Sequence, residues 1–119
     1  NGCLDWAAGG HVSTLADLER FLLGLFRGEL VAHTTLDRML VPVATPNHHY
    51  GLGIGIRRES APGEPATMQS LWGHGGHWGS FMQYIPNLRA TITGTINFTG
   101  QDFRPLYEAI LGVVLDRTI

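Results

Sequence analysis

The chain has 119 residues, of which 44% are apolar and only 15% charged, with a formal net charge of −2. This is one domain's worth of polypeptide and apolar enough to collapse, which excludes disorder as the main state. A nucleic-acid binder, which would carry a basic stripe, is excluded as well. One cysteine, Cys3, rules out a disulfide scaffold, no apolar run approaches the ~20 residues of a membrane span, and the first residues, with no positive region followed by an apolar stretch, are not expected to be a signal peptide.

Residues 1–12 are open and glycine-rich, with Gly2, Gly9 and Gly10. Ser13-Thr14 then precedes a stretch in which Leu15, Leu18, Leu22 and Leu25 recur at helical spacing, so a helix is predicted over roughly 14–27. A Thr14 hydroxyl can cap its first turn, Asp17 falls at the capping-box position, and Gly28 supplies the usual stop. A second helix is predicted with Thr34 or Thr35 as cap, Leu36, Met39 and Leu40 on its apolar side, and Pro42 ending it. Residues 43–49 read as a loop.

Tyr50 to Ile56 alternates large residues with Gly51, Gly53 and Gly55, and period two predicts a strand. A glycine face predicts close approach by another element, with helix on sheet favoured over a ligand. Residues 57–70 read as a hairpin connection with solvated strand ends, Arg57-Arg58 among them. A second strand region covers 71–85, broken by glycines, and Pro86-Asn87 makes a turn. Residues 90–98 alternate again, with Thr91, Thr93 and Thr95 on one face and Ile92, Gly94, Ile96 and Phe98 on the other. Asp102 is the expected cap of a last helix whose apolar side carries Leu106, Ile110, Val113 and Val114. The class is therefore α+β: an antiparallel sheet of three or more strands, covered by N- and C-terminal helices.

Chemistry concentrates in Trp72-Gly73-His74-Gly75-Gly76-His77-Trp78-Gly79-Ser80. Histidine titrates near neutral pH, and glycines let backbone turn or touch a ligand. A plain glycine-rich bend with surface imidazoles has the same composition. The preceding glycine-faced strand tilts the reading toward a cleft. His74-x-x-His77 with His48 and His49 could offer zinc ligands, but there is no His-Glu-x-x-His and Cys3 is alone, so no metal site is expected. Trp72 and Trp78 are read first as packing residues. Cys3 is read as an ordinary thiol, since nothing beside it would lower its pKa.

An ordered set of segments resembles the serine β-lactamase-like family of class C β-lactamases, D-alanyl-D-alanine carboxypeptidases and related esterases. Gly9-Gly10-His11-Val12-Ser13-Thr14-Leu15-Ala16-Asp17-Leu18-Glu19-Arg20-Phe21 resembles that family's GG-x-x-ST-x-x-DL-x-x-F segment. Met39-Leu40-Val41-Pro42 follows as M-x-x-P, and Tyr50-Gly51-Leu52-Gly53-Ile54 as YGLGW. Gly73-His74-Gly75-Gly76-His77-Trp78-Gly79-Ser80-Phe81 follows as GHGG-x-x-G-F/Y, and Thr91 to Asn97 as the threonine-rich strand. The resemblance runs from about residue 7 to the C-terminus. It implies that the chain is part of the β-lactamase/transpeptidase-like α/β domain.

The resemblance also implies roles. His74-Gly75-Gly76 would be the third motif, lysine being replaced by histidine as in many esterases and peptidases. The amide after the motif glycine, that of His77, would help stabilise the oxyanion of acyl transfer. His74, Gly76 and His77 are thus the expected catalytic positions, and Gly75, Trp78 and Ser80 the expected substrate contacts, with no cofactor. The family's Ser-x-x-Lys nucleophile motif cannot exist here, because all eight basic residues are arginines. Nor is there a Tyr-x-Asn: Tyr50, Tyr84 and Tyr107 are followed two residues on by Leu52, Pro86 and Ala109. Acyl transfer needs an activated nucleophile, so residues 1–119 are expected to be the C-terminal segment of a longer hydrolase and inactive alone. A small ester or amide is the expected substrate of the full-length parent. The contrasting expectation is a non-catalytic fold relative that pairs with a second copy through an open sheet edge. Members of the family are often periplasmic or secreted, but this sequence gives no localisation.

Overall fold

The structure, a computed structural model, describes residues 9–44, 49–97, 100 and 102–116. Cys3 and His48 lie outside the described residues.

Local signals set the first helix. Helix α1 spans Leu15–Phe26 with Thr14 as its N-cap. The Asp17 amide donates to the Thr14 hydroxyl at 3.2 Å, and that hydroxyl donates to the Asp17 carboxylate at 2.8 Å. The Thr14 hydrogen bond, and then Arg20 at 2.8 Å, hold the exposed Asp17 carboxyl below its ordinary range. At the other end Gly28 takes the left-handed conformation, φ 76°. The Glu29 amide bonds the Gly24 carbonyl at 2.9 Å and the Gly28 amide bonds Leu25 at 3.1 Å, the paired bonds of a Schellman stop.

Helix α2 spans His33–Met39, and its N-cap is Ala32 with no side-chain cap, not Thr34 or Thr35. The His33 ring at the start of α2 lies over Gly28, where a β-carbon would stand 2.7 Å from Nε2.

Six strands follow as a meander: β1 Val43–Ala44, β2 His49–Tyr50, β3 Gly55–Ala61, β4 Glu64–Gly75, β5 Ser80–Ile85 and β6 Ala90–Thr95. Their order in the sheet is their order in the chain, and every neighbour is antiparallel. Helix α3, Arg104–Asp116, closes the described chain.

The predicted strand Tyr50–Ile56 is not continuous. Gly51 donates to the Ile54 carbonyl at 2.8 Å and Gly53 has φ 74°, so the chain turns there and β3 begins only at Gly55. Gly51 also packs against helix, as its spacing suggested: a β-carbon there would collide with the Met39 carbonyl at the end of α2. Residues 57–70 are strand rather than connection, apart from a two-residue turn at Pro62-Gly63. The Tyr107 amide bonds the Phe103 carbonyl at 3.0 Å, so the first helical carbonyl of α3 is that of Phe103, one residue beyond the expected cap Asp102.

Helices cover both faces of the sheet, because β4 and β5 carry apolar residues on both. Leu71, Phe81, Ile85 and Ile92 pack with Tyr107 and Leu111 of α3. On the opposite face Leu25, Leu36 and Ile54 form a second cluster joined by Phe26 and Trp72. Each fully buried side chain of this size contributes about 1.5–3 kcal/mol. The buried side of α3 is thus Tyr107 and Leu111 with Leu106 and Ile110, while Val113 is 56% exposed, contrary to the expected stripe. Gly94 sits directly under the Phe81 ring, and a β-carbon there would stand 2.9 Å from Cε1.

Candidate active site

The Gly-His-Gly-Gly segment leads from strand into hairpin. β4 carries His74 and ends at Gly75, and residues 76–79 turn the chain into β5. The Gly76 amide donates to the Ser80 carbonyl at 2.7 Å, the Gly79 amide to the Gly76 carbonyl at 3.1 Å, and Gly79 has φ 86°. A β-carbon at Gly76 would meet the Ser80 hydroxyl, which would have to turn aside, while the Ser80 carbonyl oxygen stands 3.6 Å away. His77 and Trp78 form the exposed tip, their rings meeting edge to face at 5.2 Å.

Register builds a cleft beside this hairpin. Tyr50, Gly55, Gly73 and Gln83 form one row across four strands. The two central members have no side chains, so a trench runs between the Tyr50 ring and the Gln83 amide. The cleft measures about 370 Å³ and is lined in part by His74, Gly75, Gly76 and His77 of the motif, with Phe103 and Tyr107 from the other side. Gly73 is obligatory: its β-carbon would collide with the Met82 carbonyl on β5. Gly55 leaves space for the Tyr50 ring, which passes 3.8 Å from where its β-carbon would be.

The Tyr50 hydroxyl reaches His74 Nε2 at 2.7 Å, with the two rings edge to face. His74 Nδ1 lies 2.7 Å from the Gly75 carbonyl. A carbonyl only accepts, so Nδ1 carries a proton, and in the neutral tautomer this leaves Nε2 to accept from Tyr50. Both ring nitrogens are thereby engaged, and His74 meets a substrate at Nε2 only by exchanging its tyrosine partner. At the floor, Gln83 is 3% exposed and its Oε1 has no hydrogen-bond partner among the described residues. Burial pushes the Tyr107 phenol above its ordinary pKa, against the opposing pull of Arg57 and of its hydrogen bond with Gln83.

Of the six expected site residues, the structure brings His74, Gly75, Gly76 and His77 to the cleft. Trp78, 70% exposed at the hairpin tip, and Ser80, on the strand that leaves it, are not among the lining residues. Sequence reasoning missed Tyr50, Gln83 and Tyr107 as cleft residues. The available signal was the pair of glycines at 55 and 73, but only the register shows that they face each other. Among the described residues, no three histidine, cysteine, aspartate or glutamate side chains converge as metal ligands. Nor, among them, is any helix long and apolar enough to cross a membrane.

The order and spacing of these segments match the Beta-lactamase family model over residues 2–115. The chain belongs to the β-lactamase family. None of the curated proteins or solved structures compared with it gives a match. The α+β architecture, helices before and after an antiparallel sheet, is consistent with this β-lactamase-like fold.

Proposed function

We propose that this β-lactamase-family chain supplies the third-motif strand and oxyanion-side backbone of a serine hydrolase acting on a small ester or amide through an acyl-enzyme. The observation that carries the reading is the state of two successive amides. The Gly76 amide is already spent on the Ser80 carbonyl at 2.7 Å. The next amide, that of His77, donates to no backbone carbonyl among the described residues, and His77 lines the cleft. An amide left without a backbone partner beside a cleft suits the negative oxygen that forms when a hydroxyl adds to a carbonyl. In that step the serine oxygen bonds the carbonyl carbon and its proton passes to a base. When the tetrahedral adduct collapses, the leaving alcohol or amine takes a proton.

The serine and base are supplied by sequence other than this. The four serines here, Ser13, Ser60, Ser70 and Ser80, are followed three residues on by Ala16, Gly63, Gly73 and Gln83, never by lysine. A fluorophosphonate serine probe tests this. It should label a parent protein carrying Ser-x-x-Lys upstream and leave residues 1–119 unlabelled. Stoichiometric labelling of any of the four serines, located by peptide mass spectrometry, would overturn the assignment.

A second reading, self-association, is favoured by one observation. The six-residue strand β6 is an outermost strand of the sheet among the described residues. Its face is covered, with Thr93 Oγ1 donating to the Leu15 carbonyl at 3.4 Å, but its outward backbone is open to a second copy. Sedimentation velocity should show a dimer, and a monodisperse monomer at high concentration would exclude it.

A further inference from the structure

A second cleft lies on the face of the sheet covered by α1. It measures about 350 Å³, is lined by Leu23, Phe26, Arg27, Tyr84 and Arg89, and shares no lining residue with the His74 cleft. Its wall is aromatic. The Phe26 and Tyr84 rings stack with centroids 4.4 Å apart and planes 12° apart, backed by Trp72 at 5.7 Å from Phe26. Two guanidinium-bearing residues complete it from different elements, Arg27 at the C-cap of α1 and Arg89 in the β5–β6 turn. Among the described residues neither arginine forms an ion pair, in contrast to Arg20 with Asp17.

The backbone at Arg89 is the second observation. Its φ is 49°, in the left-handed region that costs an ordinary L-residue about 1–2 kcal/mol. The other described non-glycine residue there is Asn97, a type that tolerates the conformation, and the remaining five positions are glycines. A glycine would suit position 89 better on stability grounds alone. An arginine held in this turn at conformational cost, on the rim of an aromatic cleft opposite a second unpaired arginine, is the pattern of a turn residue that also serves as a binding group.

We infer that this cleft binds a small planar anion, a single aromatic or unsaturated ring carrying a carboxylate or phosphate. The ring packs against the outside of the Phe26–Tyr84 stack while Arg27 and Arg89 hold the anionic group. Guanidinium groups fit both anions in the same forked geometry, and an aromatic wall selects a flat body. The volume accommodates one ring and its substituent, at the small end of ligand sites, which start at about 300 Å³.

Calorimetric titration of the purified protein with benzoate, phenyl phosphate, inorganic phosphate and benzyl alcohol tests this. Benzoate or phenyl phosphate should bind. Inorganic phosphate should bind at least about tenfold more weakly than the better aromatic anion, and benzyl alcohol at least about tenfold more weakly as well. Whichever aromatic anion binds better identifies the anionic group. Arg27→Gln and Arg89→Gly should each weaken that ligand about tenfold or more, as loss of a charge-assisted contact implies. Arg89→Gly should at the same time raise the melting temperature, because glycine adopts φ 49° without steric cost. Loss of affinity together with gain of stability separates a binding arginine from a structural one. Failure of both aromatic anions to bind, or affinities unchanged in both variants, would overturn the inference.

Discussion

Tyr50 and His74 stand 24 residues apart in sequence and meet through a 2.7 Å hydrogen bond from the tyrosine hydroxyl to Nε2. The contact crosses β3, where Tyr50 pairs with Gly55 and its ring lies at ordinary contact distance, 3.8 Å, from the place of a β-carbon on that glycine. Tyr50 thereby positions the His74 imidazole. Tyr50→Phe should keep the fold, lowering stability by about 1 kcal/mol or less for one exposed hydrogen bond. The ¹⁵N resonance of His74 Nε2 should move, since its proton donor is gone. An unchanged resonance would show that the two side chains do not interact in solution.

Two glycines on the same strand and the same face should respond in opposite ways. At Gly73 a β-carbon would meet the Met82 carbonyl and stand 2.9 Å from Gln83 Cα, both backbone atoms that cannot move without parting β4 from β5. At Gly75 the nearest atoms are the Ser80 carbonyl oxygen at 3.8 Å and Phe103 Cε2 at 3.9 Å, which is ordinary contact. Gly73→Ala should therefore cost about 3 kcal/mol, the upper end of overpacking. Gly75→Ala should stay within about 0.5 kcal/mol of wild type. Urea unfolding of the two variants checks the pair. Equal losses would mean that β4 and β5 are not in the register observed.

The cap of α1 offers a local control. Thr14 both accepts from the Asp17 amide and donates to the Asp17 carboxylate. Thr14→Ala should cost about 1 kcal/mol, and Thr14→Ser, which keeps the hydroxyl, should recover most of it. Thermal unfolding of both variants gives the comparison. A serine variant as unstable as the alanine one would place the loss in the methyl group instead of the cap.

These sites also show what could be read in advance and what could not. Thr14, Asp17 and Gly28 announced their helix because caps and stops act between residues three to five apart. Pro86-Asn87 announced its turn for the same reason. The alternation from Tyr50 to Ile56 misled, because a glycine at every second position suits a turn as well as a strand. The choice was made by a contact with the end of α2, through the Met39 carbonyl, which accepts from Leu52 at 2.9 Å. The motif histidine and its glycines stood out in the sequence, but the cleft around them did not. Tyr50, Gly55, Gly73 and Gln83 become neighbours only through three separate strand registers, and no short-range pattern encodes those. Trp78 and Ser80 failed to join the cleft for the converse reason. Adjacency to the motif in sequence carried them to the tip and exit of a hairpin.

The buried Tyr107 phenol gives a prediction with a definite sign. Burial raises its pKa above the ordinary 10.0, so the folded protein holds that proton more tightly than the unfolded chain. Stability from this group is complete below the unfolded value and is lost as pH rises through 10.0 toward the folded value. The sequence has no lysine, so no side-chain ammonium group titrates over the same range, and comparison with Tyr107→Phe cancels the groups common to both proteins. Urea unfolding at about pH 8 and about pH 11 should show wild type losing stability between the two. Tyr107→Phe should start lower, because it removes the partner of the buried Gln83 amide, yet lose less over the same interval. If the variant and wild type fall in parallel, the phenol is ionised as readily in the fold as outside it, and α3 does not seal Tyr107 against the sheet.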